Sequence, residues 1–130
     1  MPNTYIIGTS TEQINLAADI TTVGLAASRA SVLVVDDTNP GVPVAASVDA
    51  TGDIVNTVIG GGTSLKGKRL TVFTMVTLTG DDQDSRQTEA DAVRGTYMLS
   101  GGDEGVKSYS DPIKSYRDPN VFTVFIVDLL

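Results

Sequence analysis

Apolar positions recur along much of the chain with the spacing of β-strands. Thr, Val and Phe dominate residues 70–79 and 121–130, and Val and Leu dominate residues 31–37. Such residues suit a pleated, half-buried surface, so these three segments are the firmest strand predictions. In residues 42–50, valine and alanine alternate with small or polar neighbours, as in a strand with one solvated face. Shorter candidates bring the total to seven or eight strands: residues 4–9, 21–28, 53–60 and 96–101.

Turn-forming residues separate these segments and leave little room for helices. Thr-Asn-Pro-Gly at 38–41 and Ala-Thr-Gly-Asp at 50–53 predict tight connections between strands. Thr-Glu-Ala-Asp at 88–91 resembles a helix-capping box, and Gly95 stands where such a helix would end. We therefore expect at most one short helix, near residues 88–94.

Many short strands joined by turns predict an all-β protein. We expect a single-domain antiparallel β-sandwich, or a flattened barrel, of seven to eight strands over residues 1–130. Residues 14–20 fit a helix or a strand equally well. A chain of 130 residues and 13.6 kDa has the usual size of one domain.

The charge of the chain excludes several classes of partner. The net charge is −7, with nine basic residues against sixteen acidic ones. Nucleic-acid binding needs a basic surface that displaces counterions from phosphates, and Lys-Gly-Lys-Arg at 66–69 is too short to supply one. We also expect no transmembrane segment, because no apolar run approaches the ~20 residues that a spanning helix needs. No signal peptide is visible, and a cytoplasmic address or a virus-like or surface assembly fits equally well.

The chain contains neither cysteine nor histidine. Thiolate nucleophiles, disulfides and thiolate metal sites are excluded, and so are the commonest general base and the commonest transition-metal ligand. Chemistry based on carboxylates, lysine or tyrosine remains as a third hypothesis, but no pair of acids stands out in the sequence. We therefore expect no catalytic residues, no bound cofactor and no enzyme activity.

A glycine-rich run raises the question of a phosphate-binding loop. Residues 62–69, Gly-Thr-Ser-Leu-Lys-Gly-Lys-Arg, match the loop pattern at Gly62, Gly67 and Lys68 but end on Arg69. A phosphate loop leads into the N-terminus of a helix, whereas a strongly β-prone segment follows here. We expect Gly60–Gly62 to form a flexible connection and residues 66–68 to form a turn.

Aspartates concentrate at the predicted loops, which makes calcium a possible ligand. Asp81, Asp82 and Asp84 are the candidate metal ligands, since calcium binds several loop carboxylates at once. The spacing of residues 82–93 does not match a helix–loop–helix calcium site. Aspartate is also a common turn former, because its side chain bonds nearby backbone N–H groups.

A seven-residue echo precedes the last strand. Ser-Tyr-x-Asp-Pro occurs at 108–112 and again at 115–119. Tyr109 and Tyr116 could be presented to a protein partner on an extended strip, or they could lie over the end of the core. The final Asp-Leu-Leu needs a covering surface, so Leu129 and Leu130 are two more candidate contact residues.

These observations favour a non-enzymatic structural or assembly module. We expect a subunit or adaptor that contacts copies of itself, or another protein, through sheet edges and loops. The alternative is a calcium-dependent, lectin-like or membrane-recruiting β-sandwich that uses its loop aspartates.

Overall fold

Two β-sheets and two helices make up the part of the chain that the structure describes. The computed structural model describes residues 3–34, 41–110 and 112–130. The strands are β1 (Asn3–Tyr5), β2 (Gln13–Thr21), β3 (Leu25–Val34), β4 (Val42–Ala46), β5 (Ile54–Gly61), β6 (Lys68–Thr77), β7 (Arg94–Ser100), β8 (Lys107–Ser110), β9 (Ile113–Arg117) and β10 (Asn120–Leu129). The helices are α1 (Gly62–Leu65) and α2 (Gln83–Ala92).

The larger sheet has six strands and the smaller sheet has four. In the larger sheet, β10, β6, β3 and β4 lie side by side as antiparallel neighbours. The other side of β10 is shared: β9 pairs antiparallel with residues 120–124, and β1 pairs parallel with residues 127–129. The smaller sheet has the antiparallel order β5, β2, β7, β8.

The inner sides of the two sheets form one hydrophobic core. Along β10, every second residue from Val121 to Leu129 is buried. Phe125 on the larger sheet stacks on Tyr97 of the smaller sheet, with ring centroids 4.2 Å apart and planes within 3°. The ring of Tyr109 lies 5.3 Å from that of Phe125. This aromatic cluster connects the two layers, as the interdigitating side chains of a β-sandwich do.

The all-β prediction is confirmed, but the predicted count of seven to eight strands is wrong. The described residues form ten strands in two sheets that do not close into a barrel. Residues 14–20 lie in β2. Residues 21–28 are not one strand, because the hydroxyl of Thr22 accepts a hydrogen bond from the Gly24 N–H and fixes a turn between β2 and β3.

The two copies of the Ser-Tyr-x-Asp-Pro echo supply the other unpredicted strands. The first copy contributes β8 and the second contributes most of β9. Pro112 and Pro119 lie just outside these strands, so neither proline removes a donor from a sheet. Prolines therefore mark the ends of strands here rather than an irregular connection.

The helix prediction is wrong in its boundaries and in its number. α2 begins after Asp82, whose carboxylate accepts a hydrogen bond of 2.7 Å from the Ser85 N–H, and Gly95 lies in β7 instead of ending the helix. Aspartate is a favoured N-cap, and this cap places the helix about one turn earlier than residues 88–94. The single turn α1 is a second helix. Among the described residues, no helix has the length and apolar character that a membrane crossing requires.

The glycine-rich run is regular structure followed by a turn. Gly60 and Gly61 end β5, and Gly62 begins α1, so the expected flexible connection is wrong. The predicted turn at 66–68 is confirmed, with Gly67 at a φ of +88° that favours glycine. β6 starts at Lys68, so the chain does not enter a helix there as a phosphate loop would.

Part of the sequence-based prediction falls outside the described residues. The turn at 38–41 lies there except for its last residue, and so does the end of the strand predicted at 31–37. The described part of that strand, residues 31–34, continues β3.

Replacing Phe125 by alanine tests the aromatic connection between the sheets. Phe125 is 1% exposed, so the substitution leaves a cavity between the layers and should lower the free energy of unfolding by about 3–5 kcal/mol. Met98→Ala, at an outward position of β7, should change it by no more than about 0.5 kcal/mol. Urea unfolding of all proteins at one concentration measures the difference, and equal losses for both variants would contradict the assignment of Phe125 to the core.

Candidate protein-interaction face

Apolar residues occupy about half of the outward positions on four adjacent strands of the larger sheet and are concentrated at its centre. Strand pairing arranges the outward residues of β3, β6, β10 and β9 in rows, and the central row runs Arg29, Phe73, Val124, Ile113. We call the surface formed by the outward residues of these four strands the outer face. Its apolar members are Leu25, Ala27, Leu33, Phe73, Met75, Ile113, Phe122, Val124 and Ile126.

Aromatic and methionine side chains occupy the middle of the outer face. Phe73 is 46% exposed and Met75 is 40% exposed. The ring of Phe122 lies 5.9 Å from that of Phe73, so the two strands present one aromatic surface. At its side, Ile113 is 67% exposed. Contiguous apolar surface of this kind marks contact sites in proteins, because its exposure to water is unfavourable.

The outward side of the smaller sheet has the opposite character. Outward positions of β2 pair with those of β7, as Asp19 does with Thr96 and Asn15 with Ser100. Met98 is the exposed large hydrophobic side chain among them. The remaining outward residues of β2, β7 and β8 are small or polar: Ala17, Thr21, Arg94, Ser108 and Ser110. Strands β2, β7 and β8 thus have the apolar-inside, polar-outside pattern expected of a sheet with one solvated side, apart from Met98, whereas the edge strand β5 exposes Val55 and Val58.

Charged side chains lie on the outer face at defined places. Arg29 is exposed in the central row, beside Phe73. At one end of the face, Arg69 Nε donates to Asp128 Oδ1 at 2.7 Å and Nη2 donates to Oδ2 at 3.3 Å. Arg117 is exposed at the opposite end, on β9. The outer face thus contains more positive than negative charge in a chain whose net charge is −7.

The edges of the described sheets are guarded against pairing with another strand. β4 contains Pro43, β8 is short and contains Lys107, and β9 contains Lys114 and Arg117. β5 (residues 54–61) is long and uncharged, but its register with β2 shifts twice, as at β-bulges. Short length, proline, lysine and bulges all oppose edge-to-edge association. The outer face is therefore a stronger candidate contact surface than any edge.

Two of the four predicted contact residues are buried. Tyr109 is 8% exposed, and its hydroxyl donates a hydrogen bond of 2.7 Å to the backbone oxygen of Thr4. Leu129 is fully buried at the inner side of β10. Leu130 is half exposed, and its backbone oxygen accepts hydrogen bonds from Ile7 and Gly8. Tyr109 and Leu129 are therefore covered within the chain itself, and their role in partner binding stays a prediction.

Tyr116, the fourth predicted contact residue, belongs to a hydrogen-bond network that connects α2 with the β9–β10 turn. Its hydroxyl donates to Asp118 Oδ1 at 3.0 Å. Arg86 of α2 donates to both carboxylate oxygens of Asp118, at 2.6 and 3.1 Å. The Arg86 guanidinium holds the pKa of the Asp118 carboxyl below its usual range. Tyr116 therefore has a structural partner within the chain.

The three candidate calcium ligands are not gathered into a site. Asp82 caps α2, and Asp84 lies in the first turn of the helix. The Ser85 backbone hydrogen bond holds the pKa of Asp82 below its usual range. In residues 3–34, 41–110 and 112–130, no three Asp, Glu, His or Cys side chains are grouped so that they could hold a metal ion. The calcium hypothesis stays a prediction, and two of its proposed ligands, Asp82 and Asp84, lie at the N-terminal end of α2.

Sequence reasoning missed the outer face, although a signal for it exists. Residues 72–76 and 121–127 are apolar at nearly every position instead of every second one. Such runs are typical of strands that are covered on both sides. Tyr109 and Tyr116, which the repeated motif indicated as contact residues, lie instead in the core and next to the β9–β10 turn.

Comparisons with known proteins identify no match for the chain. No protein family, no curated protein and no solved structure matches it. The candidate function therefore rests on the geometry of the outer face.

Acidification tests the ion pair between Arg86 and Asp118. Because its pKa is lowered in the folded chain, its contribution to stability is full above the unfolded value of about 4 and is lost as the pH falls through the folded value. Asp118→Asn should be less stable than the wild type near neutral pH, and the difference should shrink in acid. Thermal melts from about pH 6 to about pH 2 measure it, and a difference that does not change with pH would contradict the role of the carboxylate.

Addition of calcium tests the remaining metal hypothesis. Since Asp82 is engaged at the N-terminus of α2, we expect millimolar calcium to leave the thermal midpoint unchanged. A ligand that binds the folded chain would raise the midpoint by mass action. A rise with calcium that disappears in Asp81→Asn or Asp84→Asn would support the calcium-dependent alternative.

Proposed function

We propose that the chain is a non-enzymatic structural module that assembles with copies of itself through the outer face. The observation that carries the proposal is the difference between the two sheets. Strands β2, β7 and β8 of the smaller sheet turn mainly polar or small residues outward, whereas the larger sheet exposes Phe73, Met75 and Ile113, with the two phenylalanine rings of Phe73 and Phe122 side by side at its centre. A second protein surface would remove these side chains from water.

The size of the outer face supports this function. Three strands that share nine residues and the five residues of β9, at a strand spacing of ~4.8 Å and a rise of ~3.4 Å, give a surface of roughly 500 Å². Two such surfaces together bury about 1,000 Å², the smallest area expected of a specific protein–protein interface. The face is therefore large enough for a specific but modest association.

The composition of the outer face supports a protein contact. Its centre contains Phe73, Phe122 and Met75, and arginine lies at the side and the end. Aromatic residues, methionine and arginine are enriched at interfaces, while lysine, glutamate and aspartate are depleted there. The face contains Arg29, Arg69 and Arg117 against Asp128, so its charge is mostly positive.

A recess in the structure supports the non-enzymatic part of the proposal. It has a volume of about 450 Å³ and is lined by Val93, Arg94, Gly95, Thr96, Ser110, Pro112 and Lys114. Lys114 Nζ donates to the backbone oxygen of Ala90 at 3.0 Å, and Arg94 Nη1 donates to that of Asp91 at 2.6 Å. Both cations therefore serve the C-terminal end of α2, where positive charge is favourable. Among the described residues of this lining there is no carboxylate pair for acid–base chemistry.

A charge in the centre of the outer face tests the proposed function. We expect light scattering to give the wild type a mass above 13.6 kDa at high concentration. Phe73→Glu would bury a carboxylate in the contact and should weaken self-association by about 30-fold or more, the effect of a central contact residue. Met98→Glu, at a similarly exposed position of the other sheet, should associate like the wild type.

Circular dichroism must first show that both variants fold. A wild type that remains monomeric at the highest soluble concentration would contradict the proposed function. If Phe73→Glu and Met98→Glu weakened self-association equally, the outer face would not be the contact surface.

A further inference from the structure

We infer that two copies meet outer face to outer face about a two-fold axis that runs parallel to the strands, between β6 and β10. This inference rests on the proposed function and adds the arrangement of the two chains. A symmetric contact between two identical sheets places its axis in the plane of contact. When the strands of two facing sheets are aligned, as in most sheet-on-sheet packing, the axis runs along the strands or across them, and the two cases bring different residues together.

The rows of the outer face define what each axis implies. If the axis runs along the strands, β6 lies over β10 of the partner and β3 lies over β9 of the partner. Each row of residues then faces the same row of the partner. If the axis runs across the strands through the central row, each strand lies over its own copy, and the order of the rows is reversed. The charged residues of the face distinguish the two cases.

The position of Arg29 disfavours a dimer whose axis runs across the strands. In that arrangement, Arg29 in the central row would face the partner's Arg29 inside an apolar contact. Like charges brought together in an interface cost several kcal/mol. With the axis along the strands, Arg29 instead faces the partner's Ile113. The two arginines are then three strand spacings apart, about 14 Å, which exceeds the screening length of about 8 Å at physiological salt.

The ion pair at the end of the face favours the axis along the strands. Arg69 and Asp128 are cross-strand neighbours on β6 and β10, on either side of that axis. Rotation about it places Arg69 over the partner's Asp128 and Asp128 over the partner's Arg69. Four charges then alternate in sign, and each gains a second opposite neighbour. With the axis across the strands, the same pair would face Thr77 and Asn120 and gain no charge partner.

The centre of the face fits the same arrangement. Met75 would pack on the partner's Phe122, and Phe73 on the partner's Val124, so a large side chain meets a different apolar side chain in each row. Such a contact uses the same surface on both chains and therefore closes at two copies. The polar outward sides of the smaller sheets then form both external surfaces of the pair.

Cross-linking of single-cysteine variants tests the arrangement, because the chain has no cysteine of its own. Ala27 on β3 and Ser115 on β9 lie in the same row, and Ser31 lies two rows away from Ala27 on the same strand. Facing sheets are about 10 Å apart, too far for a disulfide, so a short bis-maleimide reagent is the linker. We expect a mixture of Ala27→Cys and Ser115→Cys chains to give a cross-linked dimer on a denaturing gel. Either variant alone should give little.

Two results would overturn the inference. A mixture of Ala27→Cys and Ser31→Cys chains that links in preference to the Ala27→Cys and Ser115→Cys mixture would place the axis across the strands. A wild-type mass of two chains with no link from either mixture would leave the proposed function in place and remove this arrangement. A monomeric wild type would instead remove the proposed function itself.

Discussion

The structure depends on one constraint: the middle parts of β6 and β10 are apolar on both sides, and the fold covers only one side. The smaller sheet covers the inner side, where Phe125 stacks on Tyr97 at 4.2 Å. The outer side carries Phe73, Met75 and Phe122, and no described element packs over them. Strands that are apolar on both sides are typical of sheets that are covered on both sides. The self-association proposed for this chain would cover the outer side, which its own fold leaves exposed.

The same constraint accounts for the rest of the architecture. Edges that would attract foreign strands are short, charged, interrupted by proline or bulged, so association is directed away from them. α2 is held by Asp118 and Lys114, beside the sandwich and away from the outer face. Unwanted contacts are suppressed at the edges, while one apolar surface stays open. Arg29 and the Arg69–Asp128 pair then limit how that surface can be used.

Local residue preference predicted the all-β class and most of the strands. Residues 70–79 and 121–130 contain side chains that favour strands in almost any context, and they became β6 and β10. β2 was ambiguous, because Ala17, Ala18 and Asp19 have no strand preference. It is a strand because it pairs with β5 and β7, which are distant in sequence.

The candidate site was harder to predict than the fold for the same physical reason. Which side of an apolar strand faces the core depends on sheet order and register, and these are set by contacts between distant residues. Tyrosine is a residue type that is common at interfaces, yet the register of β8 with β7 turns Tyr109 toward Phe125 in the core. Phenylalanine is typical of protein cores, yet the register of β6 turns Phe73 outward.

The two internal methionines provide the most direct measurement of the central claim. Met75 lies on the outer face and Met98 on the outward side of the smaller sheet, and they are 40% and 39% exposed in the single chain. Their methyl signals can be followed by NMR with a soluble paramagnetic agent at low and high protein concentration. The account predicts that Met75 becomes protected from the agent as the concentration rises, while Met98 stays accessible. Equal accessibility of the two methyl groups at every concentration would contradict it.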